Sequence, residues 1–373
     1  PQSSPSSEIL CYTFNNDFSC LAMGTRTGFK IFGLDPFQLL YENNEGGIGI
    51  IRMLESTNLI ALVGSGEHPA RSPRRITLWN KTKNVAVFEI SFSNKIIGVR
   101  INKERLAVFS HNKLYLHNMQ NAQRLTAIDT IDNENDSLIA MSGKVDDCYL
   151  VYPSSSSAGN LAVFDAFSMN HIEYIPAHDG KLSFVCMNDS GNRLATASDK
   201  GTIIRVFSLP KCDKIATFRR GHMYASIYCI NFSLDSNYLI SSSNTGTIHA
   251  YCVRDGEHQT ENEESSYLQM GLSKVMEYAN YFVAEDKINY ARSKISFKND
   301  MIAANHNICA INETNSQIMI FTQNGYFMRY HITLNSGGSE HSLSQIYSID
   351  DFNVISSKNL DDSYQQNSEK FYL

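Results

Sequence analysis

Ile227-Tyr228-Cys229-Ile230-Asn231-Phe232, then Tyr238-Leu239-Ile240-Ser241-Ser242, then Thr247-Ile248-His249-Ala250-Tyr251-Cys252-Val253: this stretch decides the fold. The three runs are separated by Leu234-Asp235-Ser236-Asn237 and by Asn244-Thr245-Gly246. β-branched and aromatic side chains suit a pleated strand, and Asp, Ser, Asn and Gly suit tight turns, so the order is strand, turn, strand, turn, strand. The last run has counterparts at 29–32, 76–79, 114–117, 161–164, 204–207 and 327–330, each ending in an aromatic residue or His. With 248–251 these make seven copies, and five of the six intervals bracket the ~40–45 residues of a four-stranded blade. A sandwich or barrel with regular strand spacing is the competing architecture. Seven copies at near-regular spacing favour an all-β, seven-bladed β-propeller of the WD40-like kind.

The last interval exceeds a blade by roughly 35 residues. It predicts one long insertion in the sixth blade, at 254–291, within a propeller spanning 9–354 and flanked by polar ends at 1–8 and 355–373. One propeller consumes nearly all of the 373 residues, and no second globular domain is expected. The formal net charge of −6 argues against a general polyanion binder, so attraction to phosphate has to come from local clusters. No run approaches the ~18 apolar residues of a spanning helix, and the first residues do not read as a signal peptide. The eight cysteines have no metal-ligand spacing, and several lie in apolar strand runs, as buried reduced thiols of a cytosolic protein would.

Between the fifth and sixth blades stands Phe218-Arg219-Arg220-Gly221. If the two arginines lie on a strand or strand end, their side chains leave opposite sides of the backbone and serve two separate pockets. Arginine suits phosphate because its planar fork donates bidentately and keeps its charge. Before the pair lie His178, Ser198, Lys200, Thr202 and Arg205; after it come Ser243, Thr245, Thr247 and His249. These are the donors a multiply phosphorylated ring needs. Thr247 and His249 are two apart and share a strand face. Thr202 is three before Arg205, so one of them sits in a turn if both face one pocket. Each residue also has a plain reading. Asp-Lys-Gly and Asn-Thr-Gly are ordinary hairpin turns, His178 fits a capping histidine of a blade, and Arg219 and Arg220 fit surface ion pairs. The functional reading rests on two blades carrying similar polar sets around one Arg-Arg step.

The insertion begins with an acidic, polar stretch at 257–264, followed by Ser265 and Ser266. Then Leu268, Leu272, Val275, Ala279 and Phe282 recur at four-three-four-three spacing, and Met276 and Val283 widen the stripe. That periodicity predicts an amphipathic helix, either packed on the propeller's side or laid into a membrane interface. The acidic stretch would be repelled by anionic lipid, and phosphorylation of Ser265 or Ser266 would strengthen the repulsion. A second basic cluster, Arg71-Ser72-Pro73-Arg74-Arg75, sits in a long turn of the second blade, as a solvated turn or a partner contact.

Phe218-Arg219-Arg220-Gly221, preceded by Leu194-Ala-Thr-Ala-Ser-Asp-Lys-Gly-Thr-Ile-Ile-Arg-Val-Phe207, resembles the PROPPINs, the phosphoinositide-binding propellers related to animal WIPI proteins. Gly28-Phe29-Lys30-Ile31-Phe32, Asp35-Pro36-Phe37 and Leu59-Ile60-Ala61-Leu62-Val63-Gly64 carry a weaker likeness. The compact loops are most similar to the branch of the swollen-vacuole homologue. His222 departs from the small residue usual after the motif. The resemblance implies two rim pockets for phosphatidylinositol 3-phosphate and 3,5-bisphosphate. Carried over, site 1 is His178, Ser198, Lys200, Thr202, Arg205 and Arg219; site 2 is Arg220, Ser243, Thr245, Thr247 and His249. It also implies membrane insertion through Leu268, Leu272, Val275, Met276 and Phe282.

The expectation is a non-enzymatic, monomeric peripheral membrane protein without cofactor or metal. It is cytoplasmic, recruited to endosomal, vacuolar or pre-autophagosomal membranes, and presents other blades to autophagy partners. The alternative is a WD-repeat interaction scaffold without a lipid ligand. No nucleophile–base pair or carboxylate pair of distinctive spacing suggests an enzyme, and the acidic balance without a basic stripe disfavours nucleic acid.

Overall fold

The computed structural model describes residues 9–68, 71–144, 148–154, 158–253, 295–335, 338–349 and 354–355. Their strands form seven antiparallel sheets, and each sheet is built from strands consecutive in sequence. Six sheets have four strands and the last has five. All seven aromatic-ended runs lie in the third strand of a sheet, from Phe29–Leu34 in blade 1 to Tyr326–Asn335 in blade 7. The three runs quoted first are Ile227–Phe232, Tyr238–Ser243 and Thr247–Cys252 of blade 6.

The same period-2 pattern explains why the sheets form a ring. A strand surrounded by protein on both faces carries apolar residues on both, one set for each neighbouring blade. In blade 5, Ala195, Ala197, Ile204, Val206 and Phe218 pack with Leu239 and Tyr251 of blade 6. Leu182, Val185, Leu194 and Phe207 of the same blade pack with Val163 and Ile175 of blade 4. Seven buried clusters fill the seven seams between neighbouring blades. The first strands of successive blades pack against one another.

The sequence left open how the ring closes. Blade 1 is complete in itself, from Ile9–Phe14 to Phe37–Asn43, and blade 7 takes its strands from Asn307–Ile311 onward. Among the described residues no strand of one completes the other's sheet. Closure is by side chains: Phe14, Met23, Phe32 and Phe37 pack with Phe321, Phe327 and Tyr347. Phe37 stacks on Phe327 at 4.9 Å between ring centroids, and Tyr12 donates to or accepts from His306 Nδ1 at 2.7 Å.

In blade 6 the third strand ends at Cys252, and its outer partner, Ile295–Lys298, pairs with it from Thr247 to Ala250. The chain between, including Leu268, Leu272, Val275, Met276 and Phe282, lies outside the described residues. In blade 2, Arg71 donates to the Glu45 carbonyl at 3.0 Å and lies over the Trp79 ring, and Arg75 pairs with Glu89. Arg74 is exposed.

Candidate functional site

Blade 5 ends with the strand Lys214–Arg219, so Arg219 is its last residue and Arg220 the first beyond it. The strand's register places Ile204 opposite Phe218 and Arg205 opposite Thr217. Phe218 is buried towards blade 6, stacked on Tyr251 at 4.7 Å. Arg219, next along, lies on the other face with Thr217 and Arg205. That face looks at blade 4, because Arg205 Nη1 donates to the Ala177 carbonyl at 2.7 Å. Arg220 returns to the blade 6 side, where its charge acts on His249 and Tyr251. The two arginines therefore face two different seams, as alternation along the backbone requires.

In the seam between blades 4 and 5, His178 follows the outer strand of blade 4, Asn170–Pro176, and is buried. Its Nε2 is 3.0 Å from Thr196 Oγ1. Burial, with Arg205 beside it, pushes the imidazole down to about 4, so it is neutral near pH 7. Arg205 is opposite Thr196 across the sheet, and its Nε is buried with no hydrogen-bond partner. Ser198 ends the strand Arg193–Ser198 on the same face and is buried. Thr202 precedes the strand Ile203–Ser208, which resolves the spacing problem: it sits in the turn and Arg205 on the strand. Lys200, in that turn, is exposed, as are Asp199 and Asp179. The two carboxylates oppose part of the cleft's positive charge.

In the seam between blades 5 and 6, Ser241 pairs with His249 in register, and both share a face with Tyr251, which packs on blade 5. Ser243 and Thr247 continue that face. Ser243, Thr245 and Thr247 form a chain of hydroxyls, 2.9 Å and 3.2 Å apart. His249 is buried, and desolvation with Arg220 nearby pushes it down to about 4. Arg220 is buried as well. Its Nε donates to the Gly201 carbonyl and its Nη2 to the Met223 carbonyl at 2.6 Å.

Of the eleven expected residues, nine thus fall into two groups around the Arg-Arg step, one in each seam, while Lys200 and Thr202 lie in the turn that abuts the loop after it. Sequence reasoning missed Thr196, Thr217 and Ser241, which are buried on the same faces. Period-2 counting from Ser198, Arg219 and Ser243 would have found them. It also missed that Arg220 braces the following loop, since a guanidinium on two carbonyls leaves no trace in a pattern of residue types.

The fold and this site define a class: a seven-bladed propeller whose described strands are not shared between its first and last blades, with an arginine pair divided between two seams that hold buried hydroxyls and imidazoles. The chain belongs to the PROPPIN family, whose family model matches residues 8–349. It is 35% identical to autophagy-related protein 18 of Dictyostelium discoideum, over 91% of this chain and 93% of that protein. To autophagy-related protein 18 of Yarrowia lipolytica it is 32% identical, over 92% and 97%. Among solved structures, Kluyveromyces lactis Hsv2 aligns with a TM-score of 0.71 at 21% identity, over 92% of this chain and 99% of that one. A complex of KlAtg21 with the coiled coil of AgAtg16 gives 0.70 at 21%, over 91% and 99%. These two relatives by sequence carry one name and these two solved neighbours carry others, so the family is shown and no branch within it. The protein is accordingly a non-enzymatic, phosphoinositide-binding propeller of the autophagy-related class, peripheral to membranes. Among the described residues no helix is long and apolar enough to cross a membrane.

Proposed function

We propose that the protein binds phosphatidylinositol 3-phosphate and 3,5-bisphosphate, one headgroup in each cleft. Site 1 comprises His178, Ser198, Lys200, Thr202, Arg205 and Arg219; site 2 comprises Arg220, Ser243, Thr245, Thr247 and His249. The observation that carries the reading is the divergence of Arg219 and Arg220 into separate seams, each lined with buried hydroxyls and a neutral imidazole. A neutral imidazole still donates one hydrogen bond, and an unpaired Arg205 Nε offers another. Two weak sites on one rim act together on a membrane by avidity. The apolar stripe of Leu268, Leu272, Val275, Met276 and Phe282 adds shallow insertion to the same rim. The compartments are endosomal, vacuolar or pre-autophagosomal membranes, and the other blades receive a protein partner. The KlAtg21 complex, with a coiled coil bound to a similar propeller, supports a partner of that kind.

Titration calorimetry with soluble inositol 1,3-bisphosphate tests the two-site reading. Wild-type protein should take up two equivalents, and Arg219→Thr should take up one. Arg219→Thr with Arg220→Thr should abolish sedimentation with phosphatidylinositol 3-phosphate vesicles. Each lost guanidinium removes charge-assisted bonds of ~1.5–3 kcal/mol, about ten- to 150-fold per cleft. A wild-type stoichiometry of one, or vesicle binding by the folded double variant, overturns the reading.

A further inference from the structure

The loop after the arginine pair has its own chemistry. Met223 and Tyr224 are 78% and 71% exposed, the highest values among the exposed large apolar side chains of the described residues. The loop carrying them is held at three points. Arg220 N donates to the Thr202 carbonyl at 2.9 Å at its start, and Ala225 N to the Lys200 carbonyl at 3.1 Å at its end. In the middle, Arg220 Nη2 holds the Met223 carbonyl. Ala225, where the chain re-enters blade 6, is buried. Two large apolar side chains are thus fixed in solvent on a pre-ordered tip, whose ordering cost is already met before any partner arrives.

We propose that Met223 and Tyr224 form a membrane anchor between the two clefts, entering the interface of an anionic bilayer while the clefts hold headgroups. This rests on the reading that the clefts bind phosphoinositides. The tip lies between the two cleft residues of blade 5 and the first strand of blade 6. Its neighbours are the exposed Lys200 in the abutting turn and, along the chain, the half-buried Arg219. Apolar side chains beside an exposed lysine match the layering of a lipid interface, with tyrosine's ring at the headgroup level and methionine deeper. A soluble protein partner would not require a lysine at the edge of the tip. Asp199, exposed in the same turn as Lys200, opposes anionic lipid and limits the depth of entry. Because Arg220 reaches both site 2 and the Met223 carbonyl, headgroup capture and anchor position are linked through one side chain.

The test uses the full chain in three forms: wild type, Met223→Ser with Tyr224→Ser, and Tyr224→Trp. The probes are soluble inositol 1,3-bisphosphate and phosphatidylcholine vesicles with and without phosphatidylinositol 3-phosphate. The double serine variant should bind the soluble headgroup as wild type does, and bind phosphoinositide vesicles roughly ten- to thirtyfold more weakly. Tryptophan at 224 should be quenched by brominated phosphatidylcholine when the vesicles carry phosphoinositide. Trp79, buried in blade 2, supplies the unquenched control in wild type. If vesicle and headgroup binding fall together, the loop builds a cleft and the anchor is refuted. An unchanged vesicle affinity, or tryptophan that binds without quenching, refutes it too, and points to a protein-facing tip. Wild type that binds neither probe overturns the two-cleft reading, and the anchor with it.

Discussion

Arg219 and Arg220 are adjacent and alike in sequence, yet their surroundings differ. Arg219 is half-buried at a strand end on the blade 4 side, whereas Arg220 is buried and donates to the carbonyls of Gly201 and Met223. Removing Arg220 leaves two loop carbonyls without their charged donor, which costs about 1–3 kcal/mol. Arg220→Thr should therefore lower the urea midpoint distinctly more than Arg219→Thr, with the m-value unchanged for both. Equal midpoints for the two variants would show that the bracing contributes nothing. The bracing bears on binding measurements too: a loss at Arg220 combines headgroup contact with loop position. A lysine at 220 would keep the charge but not the fork that spans two carbonyls.

Between the strands Arg193–Ser198 and Ile203–Ser208, one turn carries Lys200 and Thr202 and holds the 220–225 loop. Gly201 sits there at φ +59°, and a Cβ on it would come within 1.9 Å of the Ala225 carbonyl oxygen. Both the left-handed backbone and the close approach demand glycine. Gly221, the glycine of the arginine motif, is different: a Cβ there would meet nothing within 4 Å. Gly201→Ala should destabilise by ~2 kcal/mol or more and weaken binding in both clefts, since the turn supports both. Gly221→Ala should stay within ~0.5 kcal/mol of wild type. Thermal unfolding of the two variants side by side checks this; the reverse order would contradict the turn geometry.

Across the whole ring, ion pairs and neutral imidazoles sit in the seams. Asp136, ahead of blade 4, accepts from Arg100 Nη1 of blade 3 at 2.7 Å and from Arg52 of blade 2, so one carboxylate ties three blades together. His117, His178 and His249 are buried in blade 3, the blade 4–5 seam and blade 6, and burial pushes each down to about 4. Unfolded, each would take a proton near 6.5. Below that pH the unfolded chain binds more protons than the folded one, so stability rises with pH through this range. Stability should be level between about pH 7 and 8 and fall as pH drops from about 6.5 towards 4. Urea midpoints at pH 7.5, 6.0 and 5.0 measure this. His117→Gln, away from both clefts, should flatten the slope; a slope unaltered by that change would remove His117 from the account.

The number of blades, the position of each third strand and the arginine pair were legible in the residues, because strand alternation and turn composition are local properties read at a period of two. Ile204 beside Arg205, or Phe218 beside Arg219, already states that one face is apolar and the next polar. Which blade each face meets is not local. It follows from the ring, which sends Phe218 and Arg220 to blade 6 and Arg205 to blade 4. Closure by Phe37 on Phe327, with no strand shared among the described residues, likewise depends on residues almost a chain length apart. The sequence offered Arg220 as a ligand residue or a surface ion pair, and only the folded turn shows it holding the Gly201 and Met223 carbonyls. Residue types along a strand decide what each face can bind; the closed ring decides which faces meet, because burial there is shared between elements distant in the chain.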